Sequence, residues 1–383
     1  MQVYLDNSAT TRPFPRVVAA MQEAMEDGWY NPSALYKPAL EAQKRVDAVR
    51  ELCLKAVNAS GQRVIFTSCG TEADNLAILG HMRGVRQPGR VLTLGVEHPA
   101  VLSCREELQR MGHSMEEIPV TANGTADLAW LAEHLDDRVR MLCVMQVNNE
   151  SGAIQPLEEI AALRDRLCPA AAFHVDGVQG FLRTPLDFRG LGLQSYALSA
   201  HKIHGPKGVG ALVLRKDFKI SPQLYGGGQE DGYRSGTENT PGIIGLGEAI
   251  RCYPADGPQE MMENKRLLWS LIQEAIPAAR LNGPALDDPA CAPHILNVSF
   301  PPVRSQTMLF ALEGDGIYVS SGSACASRKQ KLSGVLTAMG LSAERIDSAL
   351  RFSLCPGLTA EEMRYTAQRL AAHWALLSRF VRK

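Results

Sequence analysis

A chain of 383 residues with 45% apolar side chains exceeds what one ordinary hydrophobic core holds and is read as two folded domains. Its 40 Lys+Arg and 41 Asp+Glu leave a net charge of −1, so there is no electrostatic footprint for nucleic acid or an anionic membrane surface. No apolar run approaches the ~18 residues needed to span a bilayer, and Met1-Gln2-Val3-Tyr4-Leu5-Asp6 lacks a cationic region followed by an apolar stretch, so a cytoplasmic protein is expected. The nine cysteines are scattered, with no Cys-x-x-Cys pair and no His pair beside them, which disfavours a disulfide framework or a structural metal site. Most read as reduced, buried small hydrophobes, as in Met141-Leu142-Cys143-Val144-Met145.

Residues 4–11 form a short extended piece, set off by Pro13 and Pro15 from a helix with Val17, Val18, Met21 and Met25 on one face. A long amphipathic helix follows over about 39–58, with Val46, Val49, Leu52, Cys53 and Ala56 at helical spacing. The apolar run 64–67 then turns through Ser68-Cys69-Gly70-Thr71 into a helix over 72–82. A strand passing through small residues into a helix start aims free N–H groups and the positive end of the helix dipole at one point, which suits a phosphate. Plain helix capping uses the same residues.

The alternation continues with strand 90–96, Glu97-His98-Pro99, a helix to about 111, a short strand at 117–120 and a helix at 128–135. Strand 141–147 ends in Asn148-Asn149-Glu150; after helix 157–167, strand 171–175 ends in Asp176-Gly177-Val178-Gln179. Such alternation predicts an α/β fold with a mainly parallel sheet, whose ligands bind beyond the carboxyl ends of the strands. Polar residues recur there: Thr71, His98, Asn149, Asp176 and Lys202. Singly, each also reads as loop or turn chemistry.

Lys202 stands where the apolar run Ser195-Tyr196-Ala197-Leu198 stops at Ser199 and His201, before Gly205-Pro206-Lys207-Gly208 and a further strand over 209–214. A lysine partly desolvated at a sheet edge loses preference for its charged form, and the neutral amine can hold an aldehyde cofactor as a Schiff base. An ordinary solvated loop lysine is the plainer alternative. The Gly-rich connection 226–239 is long enough to be functional or part of an interface.

Helices follow at 241–252 and 259–276, then a Pro/Ala/Asp-rich connector at 282–293. Strands at 294–300, 317–320 and 349–354, with helices at 305–313 and 359–380, predict a smaller α+β domain completed by the N-terminal segment. The expected division is 15–255 for the large α/β domain and 1–14 plus 256–383 for the small one. Within the latter, Ser321-Gly322-Ser323-Ala324-Cys325-Ala326-Ser327-Arg328-Lys329 surrounds Cys325 with small, polar and cationic residues, in a loop of about 321–334. Such surroundings favour an exposed, reactive thiolate.

These residues carry a resemblance to the cysteine desulfurases of the nitrogen-fixation and iron–sulfur-cluster type, pyridoxal-phosphate (PLP) enzymes of the class V aminotransferase superfamily. It spans nearly the whole chain. The matching stretches include Tyr4-Leu5-Asp6-Asn7-Ser8-Ala9-Thr10-Thr11, Glu97-His98, Val147-Asn148-Asn149-Glu150, His174-Val175-Asp176 with Gln179, His201-Lys202, Arg234-Ser235-Gly236-Thr237-Glu238-Asn239, Ser321-Gly322-Ser323-Ala324-Cys325 and Arg351-Phe352-Ser353. The resemblance implies an aminotransferase-like fold of type I.

By the same resemblance, Lys202 forms the Schiff base with PLP and moves the substrate α-proton, and Asp176 pairs with the pyridine N–H. His98 stacks on the ring and handles protons, while Gln179 and Asn149 contact the ring hydroxyl. Thr71, Gly70, Ser199 and His201 hold the phosphate, and Thr237 reaches the phosphate of a neighbouring subunit, making a homodimer. Arg351, helped by Asn149, grips the substrate carboxylate. The implied reaction takes L-cysteine to L-alanine and leaves a persulfide on Cys325 for a sulfur-acceptor protein. The acceptor is open between a cluster scaffold and a tRNA-thiolation or cofactor-synthesis protein. Two further readings stand beside it: a selenocysteine lyase or other class V enzyme acting on a small amino acid, and a non-catalytic PLP-binding or regulatory protein.

Overall fold

The computed structural model describes residues 1–322 and 332–380. Alternation of apolar side chains along the strands puts Phe66, Leu142, Val144, Phe173 and Leu198 in one buried cluster, and Ile65, Met141, Cys143, Ala172 and Ala197 in another. A strand turns successive side chains to opposite faces, so the sheet they build is covered on both. Among the described residues that sheet has seven strands, in the order Arg63–Thr67, Gly210–Leu214, Ser195–Ser199, Ala172–Asp176, Val139–Met145, Arg90–Leu94 and Ser114–Ile118. Gly210–Leu214 pairs antiparallel with both of its neighbours, and the remaining pairings are parallel. The mainly parallel α/β reading therefore holds.

A third cluster of apolar side chains gathers Leu268, Leu296, Phe300, Leu350, Phe352, Met363 and Leu370 with Val3 and Leu5. It lies around an antiparallel sheet of Ala349–Ser353, Ile295–Ser299 and Arg280–Asn282 and the helices Gly257–Ala275, Ser305–Gly314 and Ala360–Leu377. Val3–Tyr4 pairs in parallel with Ile317–Tyr318. The last helix opens on a reciprocal cap in which Thr359 and Glu362 satisfy each other's backbone N–H groups.

Some local boundaries differ from expectation. The edge strand lies at Ser114–Ile118 rather than 117–120, because its register is set by pairing with Arg90–Leu94 and by the Arg90 guanidinium on Glu116. Its buried residues, Met115 and Ile118, stand three apart and so face opposite sides of the sheet, which leaves no regular alternation to read. The helix expected up to 111 is two pieces, Pro99–Leu102 and Cys104–Arg110. Arg280–Asn282, partly read as connector, is a strand whose Asn282 amide bonds Asn297 and Ser299 across the sheet.

Candidate active site

The carboxyl ends of neighbouring parallel strands bring the expected residues to one edge of the sheet. Asp176 ends its strand opposite Met145 and Ala197, Ser199 ends the next, and the chain tightens at once into a short 3-10 turn, Ala200–Lys202. Lys202 thus stands on a turn braced by two strands, not on a free loop. Its Nζ donates to the carbonyls of Ser8 (2.6 Å) and Ala9 (2.9 Å), so the N-terminal segment closes over the amine. Burial, reinforced by the cations Arg351 and Arg183 and opposed by Asp6 and Asp176, pulls its pKa down to about 8.

Asp176 is buried and accepts the Val178 N–H at 2.9 Å. Burial raises its pKa, while Val178, His98 and Lys202 favour the carboxylate. His98 begins the helix Pro99–Leu102, and its Nδ1 accepts the Ala100 N–H at 3.1 Å. An accepting Nδ1 leaves the ring hydrogen on Nε2. Burial and Lys202 lower the His98 pKa against the pull of Asp176, so the ring is neutral and free to take a proton.

The helix Gly70–Met82 starts beside them. Its N-cap residue, Cys69, makes no side-chain capping bond, and a Cβ on Gly70 would meet Val178 Cγ2 at 2.6 Å and Ser199 Cβ at 3.5 Å. That close approach requires glycine and seats the uncapped helix start against Ser199, whose Oγ is buried with no partner among the described residues. Free first-turn N–H groups, an orphaned hydroxyl and a nearby His201 make a cradle for a phosphate. His201 Nδ1 meets Thr10 Oγ1 at 3.1 Å, and burial, then Lys202, lowers its pKa to about 4. Thr71 is exposed at the same helix start.

From the antiparallel sheet comes Arg351, which donates to the carbonyl of Asn149 (2.8 Å) and to Asp6 Oδ1 (2.7 Å), while its Nε is buried without a partner among the described residues. Asn149 is therefore at the site through its backbone. Gln179 Nε2 donates to Ser8 O at 3.0 Å, the carbonyl that Lys202 also uses. Thr237 does not join this group; it is exposed in the Gly-rich segment and borders a shallow recess with Ser68, Gly208 and Arg234. Cys325 lies outside the described residues.

Asp6, Ser8, Ala9, Glu72 and Glu230 lie in stretches that carry the resemblance but have no individual role legible in the sequence, and Arg183 has no signal there at all. Glu72 accepts the Ser68 N–H and Arg234 Nε, tying the phosphate-type turn to the Gly-rich segment. The signal that could have found the acids is charge placed in otherwise turn-like or apolar surroundings.

The class-V aminotransferase family model matches residues 3–365. A putative cysteine desulfurase, IscS 1, of Bacillus subtilis (strain 168) is 38% identical over 375 residues, covering 97% of this chain and 98% of that protein. The chain belongs to the cysteine desulfurases of the class-V aminotransferase family. Among solved structures, a NifS-like protein matches with TM-score 0.90 at 33% identity, covering 98% of this chain and 100% of the other. SspA, solved in complex with cysteine, matches with TM-score 0.82 at 28% identity, over 93% of this chain and 99% of that one. As a family these enzymes depend on PLP. Among the described residues no helix is long and apolar enough to cross a membrane.

Proposed function

We propose that the protein is a PLP-dependent cysteine desulfurase that converts L-cysteine to L-alanine and keeps the sulfur as a persulfide on Cys325. The observation that carries the reading is the Lys202 amine, with its pKa pulled down to about 8, facing a buried carboxylate on the neighbouring strand and an arginine from the other sheet. The residues fit the cofactor: the uncapped helix start at Gly70 and the orphaned Ser199 Oγ suit its phosphate, and buried Asp176 suits a ring N–H. On this reading Thr71, Gly70, Ser199 and His201 hold the phosphate, Gln179 and Asn149 flank the ring hydroxyl, and Lys202 is the attachment point. When bound, PLP supplies an electron sink for the charge that develops beside the substrate amine.

The chain's own groups do the rest. Arg351 holds the substrate carboxylate, with Asp6 and the Asn149 carbonyl fixing the plane of its fork. Lys202 Nζ, neutral in an appreciable fraction near neutral pH, takes the α-proton, and neutral His98 relays protons through Nε2. The Cys325 thiolate attacks the substrate sulfur, the carbon–sulfur bond breaks, and alanine leaves after protonation. The acceptor that takes the sulfur is a protein, either a cluster scaffold or one serving tRNA thiolation or cofactor synthesis, in the cytoplasm.

A homodimer is supported by the apolar side chains exposed at Trp29 (65%), Leu35 (91%) and Tyr225 (75%), and Thr237 then serves the partner's phosphate site. Val3 and Leu5 packing in the cluster built from 261–370 supports a small domain of 1–14 plus 256–383 beside a large one of 15–255.

Intact mass and peptide mapping after incubation with L-cysteine, without reductant, test the reading on wild type and Cys325→Ser. One added sulfur on the Cys325 peptide with release of alanine, both lost in the variant, is the expected result. Alanine released equally by the variant, with no sulfur adduct, would instead support a lyase.

A further inference from the structure

Arg183 is 3% exposed and sits in the turn after the Asp176 strand. Its Nη1 donates to the Gln179 carbonyl (3.3 Å) and to Gln179 Oε1 (3.2 Å), and its Nη2 donates to the Lys202 carbonyl. The Nε is buried without a partner. All of these acceptors are neutral, so the hydrogen bonds do not offset the guanidinium charge. Among the described residues no carboxylate pairs with it, and a buried charge without a counter-ion is costly to keep.

Two cations, Arg351 and Arg183, and two carboxylates, Asp6 and Asp176, act on the Lys202 amine. Arg351 is paired with Asp6 at 2.7 Å, Asp176 attracts the amine from the neighbouring strand, and burial keeps His98 and His201 in their neutral forms. Arg183 is, after Arg351, the second cation whose field disfavours the charged amine. It also fixes geometry. With Oε1 held by Arg183, the Gln179 amide must turn its N–H group to Ser8 O, the carbonyl that Lys202 Nζ uses. One planar fork thus couples the main chain of Lys202 to the side chain of Gln179.

We propose that Arg183 is a positioning residue for Lys202, locking its main chain to Gln179 and placing a buried positive charge beside it that favours the reactive, uncharged amine. The inference rests on Lys202 being the reactive lysine, but its test reads the amine itself.

The full chain, stripped of any bound cofactor, is labelled with trace acetic anhydride across a pH series, and acetylation of the Lys202 peptide is quantified by mass spectrometry for wild type, Arg183→Gln and Arg183→Lys. Wild type is expected to titrate at about pH 8. Arg183→Gln should shift the midpoint up by about one unit, lowering the uncharged fraction at neutral pH about tenfold. Arg183→Lys keeps the charge and should stay within roughly a third of a unit of wild type. An unmoved midpoint in folded Arg183→Gln overturns the proposal, as does an equal rise in both variants, which would make packing the cause. If Arg183→Gln does not fold, Arg183→Lys decides alone, a rise of about one unit overturning the proposal. Because no PLP or cysteine is used, failure here is distinct from failure to desulfurate.

Discussion

At the scale of single residues, the site is built from groups whose hydrogen-bonding capacity is left open in the fold. Ser199 Oγ is buried and unpartnered, a state that costs roughly 1–3 kcal/mol unless a ligand satisfies it. Ser199→Ala removes both the cost and the contact. The apoprotein is then expected to be at least as stable as wild type, while PLP retention on dialysis falls about tenfold, as for loss of one charge-assisted bond. Unchanged retention would remove Ser199 from the phosphate site. Arg351→Lys tests the other end of the substrate. A lysine keeps the charge but cannot reach Asn149 O, Asp6 and a carboxylate with one planar group. KM for L-cysteine should rise about ten- to thirtyfold with kcat changed far less, the signature of lost uniform binding; a fall in kcat at constant KM would contradict the assigned role.

At the scale of elements, the strand-to-turn transitions were legible and the clamps between elements were not. Val64 to Thr71, and Ser195 to Lys202, announce themselves because apolar runs stop at small or polar residues, and the runs become strands of one sheet. Glu230 gave no such signal. It lies in a Gly-rich segment that reads as loop, yet its carboxylate is buried, accepts from both terminal guanidinium nitrogens of Arg50 at 2.6 and 2.7 Å, and takes the Phe66 N–H at 2.9 Å. Pairings between residues 180 apart in the chain have no local period to read. Glu230→Gln is expected to lower stability by about 2–3 kcal/mol, somewhat below a fully buried pair because the Arg50 side chain is 21% exposed. Replacing both partners with apolar residues should recover part of that loss in urea denaturation. Additive effects of the two single substitutions would mean that the pair is not coupled.

At the scale of the whole molecule, the histidines behave as one set. His174 is fully buried between Ser195 Oγ (2.8 Å) and Asp74 Oδ1 (3.2 Å), and burial lowers its pKa to about 3. His201 and His204 are held near 4, again mainly by burial. The sign follows from proton counting. Below the ordinary value of 6.5 the unfolded chain binds protons that the native histidines refuse, so stability falls with falling pH, from 6.5 down through each native value. Buried Asp74, Glu97 and Glu150 act in the opposite direction, because burial raises their pKa values and the native state keeps protons that the unfolded chain releases. These acids offset part of the histidine slope above about pH 4, where unfolded carboxylates ionise. A substitution that removes one histidine isolates its share. Between pH 6.5 and 5, His174 costs the fold about 2 kcal/mol, at roughly 1.4 kcal/mol per unit. In His174→Asn, the loss of urea stability on going from pH 7 to pH 5 should therefore be about 2 kcal/mol smaller than in wild type, whatever the variant's absolute stability. Parallel pH profiles for the two proteins would mean that His174 takes up its proton in the native state, and that the Asp74 carboxylate opposite it carries the compensating charge.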